Sequence, residues 1–274
     1  IGVRLVGSEM CIRDRARSVY IGYESGLTNE NDDNVAIGSN TLISTSTSTS
    51  CVIIGSRAGE YSENDWGMVA IGHRAANGGG GDKSVIIGYY AGNFGGTDVP
   101  SENSSNIIIG FEASGGSKFG TNYLTNSIAM GRYSINQGSG DNHICIGENS
   151  GRFIDGTNNT CLGVSSGRNV KGSHNICIGE NSMYNSISDN NIGIGQNAFQ
   201  SYNTINVDAN VALGFDAAMT CTSANSTTVV GSNAIRNSLS VNESVIIGND
   251  AMMNSTGPTG CLLYTSPSPR DGLL

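Results

Sequence analysis

Hydrophobic and polar positions alternate along this chain in short bursts rather than long runs. The recurring string is an apolar residue, a variable one, a second apolar residue and a glycine, followed by two variable residues and then Ala or Ser. It appears as SVYIGYES, NVAIGSNT, SVIIGYYA, NIIIGFEA, HICIGENS, NICIGENS and SVIIGNDA. The closing glycines are Gly22, Gly38, Gly55, Gly72, Gly88, Gly110, Gly131, Gly147, Gly163, Gly179, Gly195, Gly214, Gly231 and Gly248. Steps of 16 or 17 residues prevail, with steps of 22 and 21 after Gly88 and Gly110 and of 19 after Gly195. Helical-hairpin and propeller repeats need roughly 33 residues or more, so a period this short fits one turn of a β-solenoid.

The pattern predicts an all-β fold, a parallel β-roll or β-solenoid of about 14 coils with 16–17 residues each. Alternation at period two places the residues three and one before each glycine on one face of a strand, as with Val19 and Ile21, Val35 and Ile37, Val85 and Ile87, or Ile176 and Ile178. These pairs are expected to form the interior ladder, with Thr160 and Thr228 as exceptions at the first position. Two buried aliphatic side chains contribute roughly 1.5–3 kcal/mol each. Ordering each backbone residue of a coil costs roughly 1–2 kcal/mol. A lone coil therefore does not fold, and stability comes from stacking. The glycine suits a corner of positive φ or a close approach of backbones, and the small residue three positions later (Ala58, Ala75, Ala91, Ser150, Ser182) suits a tight interior position. Asn34, Asn106, Asn175 and Asn191 before the strands suit turns.

The position between the two apolar residues is then expected to face outward, and it too is largely apolar: Ile53, Ile86, Ile108, Cys145, Cys161, Cys177, Val229 and Ile246 among others. A long apolar stripe marks an interface. These residues are accordingly the expected contacts of an oligomer.

Composition agrees with a repeat protein: 39 Gly and only 14% charged residues in 274. The net charge of −9 argues against nucleic acid or anionic lipid as a partner. No window holds eighteen consecutive apolar residues, and no secretory leader is recognisable. Both ends lack the repeat. Leu5–Asp14 and Cys261–Asp271 can be coded by one DNA word and its reverse complement, a word that resembles a library-preparation adapter. Residues 1–15 and 261–274 are thus expected to be non-native tails around a solenoid domain of residues 16–260. Without them 10 basic and 20 acidic residues remain, and five cysteines, Cys51, Cys145, Cys161, Cys177 and Cys221. An odd number without CxxC spacing argues against a disulfide framework or a metal site.

With these residues in view, NVAIG (Asn34–Gly38), MVAIG (Met68–Gly72) and NVALG (Asn210–Gly214) resemble the SVAIG-like core of YadA-type trimeric autotransporter adhesin heads, and IGSRAG (Ile54–Gly59) and IGYYAG (Ile87–Gly92) resemble the IGxxAG repeats of phage tail fibres. The resemblance spans nearly all of residues 16–260. It implies a left-handed roll, a homotrimer, and a non-enzymatic structural or adhesive rod on a cell surface or virion tail, with a host-surface receptor or glycan as partner and no membrane insertion by this segment. Coils longer than the adhesin's and unpaired thiols depart from the adhesin pattern, and the thiols favour the viral fibre.

Candidate chemistry is sparse. Tyr89, Tyr90, Phe94, Phe111, Phe119 and Tyr123 lie in or beside the long steps after Gly88 and Gly110, where aromatics suit sugar stacking or receptor contacts. Glu30, Asp32 and Asp33 read as a solvated acidic turn rather than a calcium site. NGGGGDKS (Asn77–Ser84) has Asp82 where a phosphate loop needs glycine, and a strand follows where a helix belongs. His73, His143 and His174 are expected at the surface, and no catalytic, metal or cofactor site is expected. The alternative is a hexapeptide acyltransferase, whose hexads repeat to 18-residue coils. Here one hexad per coil is followed by about ten irregular polar residues. An ice-binding face would need TxT ladders, which do not recur from coil to coil.

Overall fold

A computed structural model describes residues 12–15, 17–29, 31–43, 48–62, 65–78, 81–93, 104–115, 124–200, 208–221, 224–237, 241–254 and 262–264. It is an all-β solenoid built of parallel strands, with two compact units, residues 1–142 and residues 143–274.

The first unit contains β1 (Ile12–Arg15), β2 (Ser18–Ile21), β3 (Val35–Ile37), β4 (Val52–Ile54), β5 (Val69–Ile71), β6 (Val85–Ile87), β7 (Ile107–Ile109), β8 (Leu124–Thr125), β9 (Ile128–Met130) and β10 (Gly140–Asp141). From β2 to β7 and on to β9, each coil's strand pairs parallel with the next in the register of the repeat, so that Val35 meets Val52, Ile53 meets Ala70 and Ile87 meets Ile109. The second unit contains β11 (Ile144–Ile146), β12 (Thr160–Leu162), β13 (Ile176–Ile178), β14 (Ile192–Ile194), β15 (Val211–Leu213), β16 (Ala224–Asn225), β17 (Thr228–Val230), β18 (Val241–Asn242), β19 (Val245–Ile247) and β20 (Leu262–Tyr264). Its main ladder is equally regular, with Cys145 beside Cys161 and Cys161 beside Cys177. β8 with β10, and β16 with β18, form short second ladders in their own units. β1 departs from the rule by pairing antiparallel with β2, Ile12 opposite Ile21, whereas β20 continues the parallel register from β19.

The expected role of the glycines holds. All fourteen have φ between 127° and 144°. A Cβ built on Gly22 would meet the Gly38 carbonyl oxygen at 2.1 Å, and one on Gly88 would meet that of Gly110 at 2.2 Å. Each corner is therefore doubly restricted, by its backbone angle and by the next coil. The small residue three positions later is buried as expected. Ser150 and Ser166 there donate their hydroxyls to the carbonyls of Cys161 and Cys177 in the next coil, at 2.8 and 2.7 Å.

The strand phase, however, is the opposite of the expectation. Ile53, Ile86, Ile108, Cys145, Cys161, Cys177, Val229 and Ile246, expected outside as oligomer contacts, are fully enclosed within their own coils, as are Tyr20, Ala36, Ala70, Ala129 and Ala212. The flanking aliphatic pairs point outward instead, Val19 being 44% exposed, Ile107 and Ile144 39%, and Ile146 41%. Size matching explains part of this phase. In half of the coils the enclosed residue and the one six further on compensate in size, Tyr20 with Gly26, Ala36 with Leu42, Ile53 with Gly59, Ile86 with Gly92, Ala129 with Ile135, Cys145 with Gly151 and Cys161 with Gly167, whereas Val229 and Ile235 are both large and Ala70 and Ala76 both small. A Cβ at Gly26 would strike the Tyr20 ring at 2.2 Å, and one at Gly167 the Cys161 sulfur at 2.2 Å. Close packing of this kind tolerates little added volume.

The asparagines before the strands do more than favour turns. Alternation carries the residue four before each glycine inward, and Asn34, Asn106, Asn159, Asn175, Asn191 and Asn210 are buried there. In the second unit they form a ladder. The Asn175 N–H donates to Asn159 Oδ1 at 2.9 Å, that of Asn191 to Asn175 Oδ1 at 2.9 Å, and that of Asn210 to Asn191 Oδ1 at 3.0 Å. The amides spend their Nδ2 donors on carbonyls, Asn159 on Gly172 at 2.8 Å and Asn175 on Ser188 at 2.9 Å. Buried polar groups satisfied in this way fix the register without leaving a desolvated donor.

Candidate functional site

Aromatic and cationic side chains gather on the outer corner of the first unit, directly after the glycines. Because the coils stack in register, the residue after each glycine stands beside its equivalent in the next coil, which brings His73, Tyr89, Phe111 and Arg132 into one column and Arg74, Tyr90, Glu112 and Tyr133 into the column beside it. His73 stacks on Tyr89 with centroids 5.2 Å apart, and Tyr89 on Phe111 at 5.4 Å with planes 4° apart. Tyr133 meets Phe111 edge-on at 5.7 Å. The guanidinium of Arg74 lies 5.3 Å from the Tyr90 centroid and donates through Nη1 to the phenol oxygen at 2.9 Å, while that of Arg132 lies 4.9 Å from Tyr133 and 5.8 Å from Phe111. Tyr89 remains 48% and Phe111 40% exposed.

Tyr89, Tyr90 and Phe111 thus come together, but on the regular corner rather than on protruding insertions. Phe94, Phe119 and Tyr123 lie outside the described residues. Arg74, Arg132 and Tyr133 were not singled out by sequence, and His73 was expected only at the surface, although counting one and two positions past each glycine places all four in the same columns. The ring faces are partly taken up by neighbouring rings and by arginine.

A similar arrangement occurs in the second unit, where Arg152 lies 4.8 Å from the Phe153 centroid and Arg168 lies 5.8 Å from Phe153 and 5.4 Å from Tyr184. At Trp66, 52% exposed, the Lys83 ammonium sits 5.0 Å from the ring centroid. Asp82, from the glycine-rich turn, accepts the Trp66 N–H at 2.8 Å, a structural use of that turn.

The remaining polar candidates resolve into packing. Arg17 pairs with Asp33 at 3.0 Å and lies 3.9 Å from Asp32, both exposed, and Glu30 falls outside the described residues. Among the described residues no group of three His, Cys, Asp or Glu is placed to hold a metal. His73 and His174 lie on the outside of the coils, but His143 is fully buried, against expectation. It takes the asparagine's place in the ladder and accepts the Asn159 N–H on Nδ1 at 3.3 Å. Cys51, Cys145, Cys161, Cys177 and Cys221 are buried thiols outside any disulfide. Burial pushes the Cys51 thiol up to about 11 and raises that of Cys145 as well. A thiol held protonated is a poor nucleophile, so Cys51 and Cys145 act as small apolar fillers.

One buried carboxyl stands out. Asp65 is 3% exposed, its side chain accepts from Ser62 Oγ, and its pKa is raised to about 7 by burial first and by the Asp82 carboxylate second.

No family model, curated protein or solved structure matches the chain. No helix among the described residues is long and apolar enough to cross a membrane.

Proposed function

We propose that this chain is a non-enzymatic structural and adhesive part of a trimeric attachment fibre, of the kind built by YadA-type adhesin heads and phage tail fibres, displayed outside the cell or on a virion. The observation that carries this reading is the outward pair of aliphatic columns. In both units nearly every strand turns two Val, Ile, Leu or Met side chains outward, half-exposed to exposed, with Thr160 and Thr228 as the exceptions. A fully buried aliphatic side chain is worth roughly 1.5–3 kcal/mol. More than a third of that is still unrealised at Val19, Ile71, Ile107, Ile144, Ile146, Ile194 and Val245, and a smaller part at the other outward positions. Repeated over one unit's strands, this leaves a continuous apolar stripe in water, the mark of an association surface.

A flat apolar ladder is best covered by a ladder of the same period, and a second copy of this chain has that period by construction. Three copies packed on these faces would bury the stripe and leave the aromatic corners free. The interface therefore moves from the enclosed column to its neighbours, Val19, Ile21, Ile107, Ile144, Ile146 and their equivalents. Light scattering of the purified chain at micromolar concentration tests this. A mass three times that of one chain is expected, and a stable monomer would overturn the reading.

A further inference from the structure

We infer that the second unit holds a buried site for a soft monovalent cation of the copper(I) class, formed by the thiols of Cys161 and Cys177 and the thioether of Met183. The site lies inside the coils, so the inference goes beyond the proposed attachment role and does not depend on it.

The coil register creates the site. The sequence offers no metal-type CxxC spacing, but β12 and β13 pair so that Cys161 stands directly beside Cys177. Both side chains are fully buried. Side-chain hydrogen bonds run along the column between Cys145 and Cys161 and between Cys161 and Cys177. A Cβ built on Gly167 would lie 2.2 Å from Cys161 Sγ and 3.5 Å from Cys177 Sγ, so both sulfurs border one space that the glycine leaves unfilled. Met183, 1% exposed, brings its Sδ to 3.3 Å from Cys177 Sγ. In the next strand the column holds Gly193, where a Cβ would meet Met183 Cγ at 2.9 Å, so the missing side chain gives the thioether its room.

The coil step favours an ion over a disulfide. Stacked strands lie about 4.8 Å apart. A disulfide needs Cβ atoms about 3.5–4.5 Å apart and an S–S bond of about 2.05 Å, which would draw close-packed coils together. Two metal–thiolate bonds of about 2.3 Å span about 4.6 Å and fit the step as it stands. Thiolate and thioether donors select copper(I), whereas structural zinc takes four ligands. The other stacked pair, Cys145 with Cys161, is less suited, because Gly151 and Gly167 hold the place of Met183 in those coils. Loading exchanges two S–H bonds for two Cu–S bonds and releases two protons to solvent, with no change in oxidation state.

The test uses the full chain carrying Cys11→Ser/Cys261→Ser, so that thiols near the two ends do not contribute. Copper(I) is supplied anaerobically as its acetonitrile complex, both to the folded chain and during refolding from urea, and bathocuproine disulfonate competes for it. Expected are one copper(I) per chain kept against the competitor, a sulfur-only shell by X-ray absorption, and tighter retention as pH rises, because protons are displaced. Cys161→Ala and Cys177→Ala should each lose the ion, Met183→Leu should weaken retention about tenfold, and Cys51→Ala and Cys145→Ala should keep it. Folding of these variants is expected, since Ala129 and Ala212 already stand in the cysteine column and Leu42 in the place of Met183, and circular dichroism checks each one. No copper retained by either route, nitrogen or oxygen in the shell, a Cys161–Cys177 disulfide in place of loading, or full retention in Cys161→Ala, Cys177→Ala or Met183→Leu would each overturn the inference.

Discussion

Each strand has two sides, and in this molecule both are apolar, yet they are built by different rules. The enclosed column runs from Gly193 through alanines and cysteines to Tyr20, and in half of the coils its size is answered across the coil, as Ile53 is by Gly59 and Ala36 by Leu42, whereas Val229 with Ile235 and Ala70 with Ala76 are not matched in this way. The outward pair is nearly monotonous Val and Ile with no such compensation. A column that must fill a closed space is constrained in volume, whereas a column that meets a repeated flat surface is constrained in shape and polarity. The contrast separates folding residues from association residues, and it can be broken experimentally at both sides.

The largest effect is expected at the corners. Gly88→Val places a β-branched side chain at φ 142°, against the Gly110 carbonyl, and should cost more than about 4 kcal/mol, read as a loss of far-ultraviolet dichroism or a large fall in the urea midpoint. Next is the enclosed column. Ile53→Ala should cost about 2–5 kcal/mol by leaving a cavity. Adding Gly59→Leu should recover most of the loss, because Leu42 already occupies the equivalent position at φ 53°. If the double variant is no more stable than Ile53→Ala, the size-matching account of the strand phase fails.

Asp65 sharpens the same contrast through pH. Its carboxyl is raised from 3.8 to about 7, so the stability it contributes is present in full below about pH 3.8 and is lost as the pH rises through about 7. The groups facing it are the Asp82 carboxylate, the backbone of Gly81, and the Cys51 thiol, which is itself pushed up to about 11. Hydrogen exchange around β4 and β5 should therefore quicken from pH 5 to pH 8 beyond its intrinsic pH dependence, and Asp65→Asn should remove that excess. Smaller again is Asn175→Ala, expected to cost about 1–3 kcal/mol by leaving the Asn191 N–H without its acceptor, measured by urea unfolding.

The glycine period and its polar flanks made the solenoid, its parallel register and its buried Ala and Ser positions legible from sequence. The phase of the strands was not, because alternation assigns alternate residues to opposite faces but cannot say which face is inside when both are apolar. Part of the missing signal lay six residues apart, in pairs such as Tyr20 with Gly26 and Ile53 with Gly59, and needed the coils to be aligned rather than read singly. The aromatic corner was half legible for a related reason. Tyr89, Tyr90 and Phe111 attract notice as aromatics beside long steps, whereas Arg74 and Arg132 belong to the site only through register between coils. His143 was misplaced because a lone histidine in a polar stretch gives no sign that it stands in a buried asparagine ladder.

The central claim is that the outward aliphatic pair, and not the enclosed column, joins copies of the chain. The most direct measurement is sedimentation velocity across a dilution series on the chain and on the variant Ile144→Lys/Ile146→Lys, with circular dichroism on both. The account predicts a trimer for the chain and a folded monomer for the variant, since both side chains are about 40% exposed in the single chain. A chain that stays monomeric throughout, or a variant that stays trimeric, would contradict it.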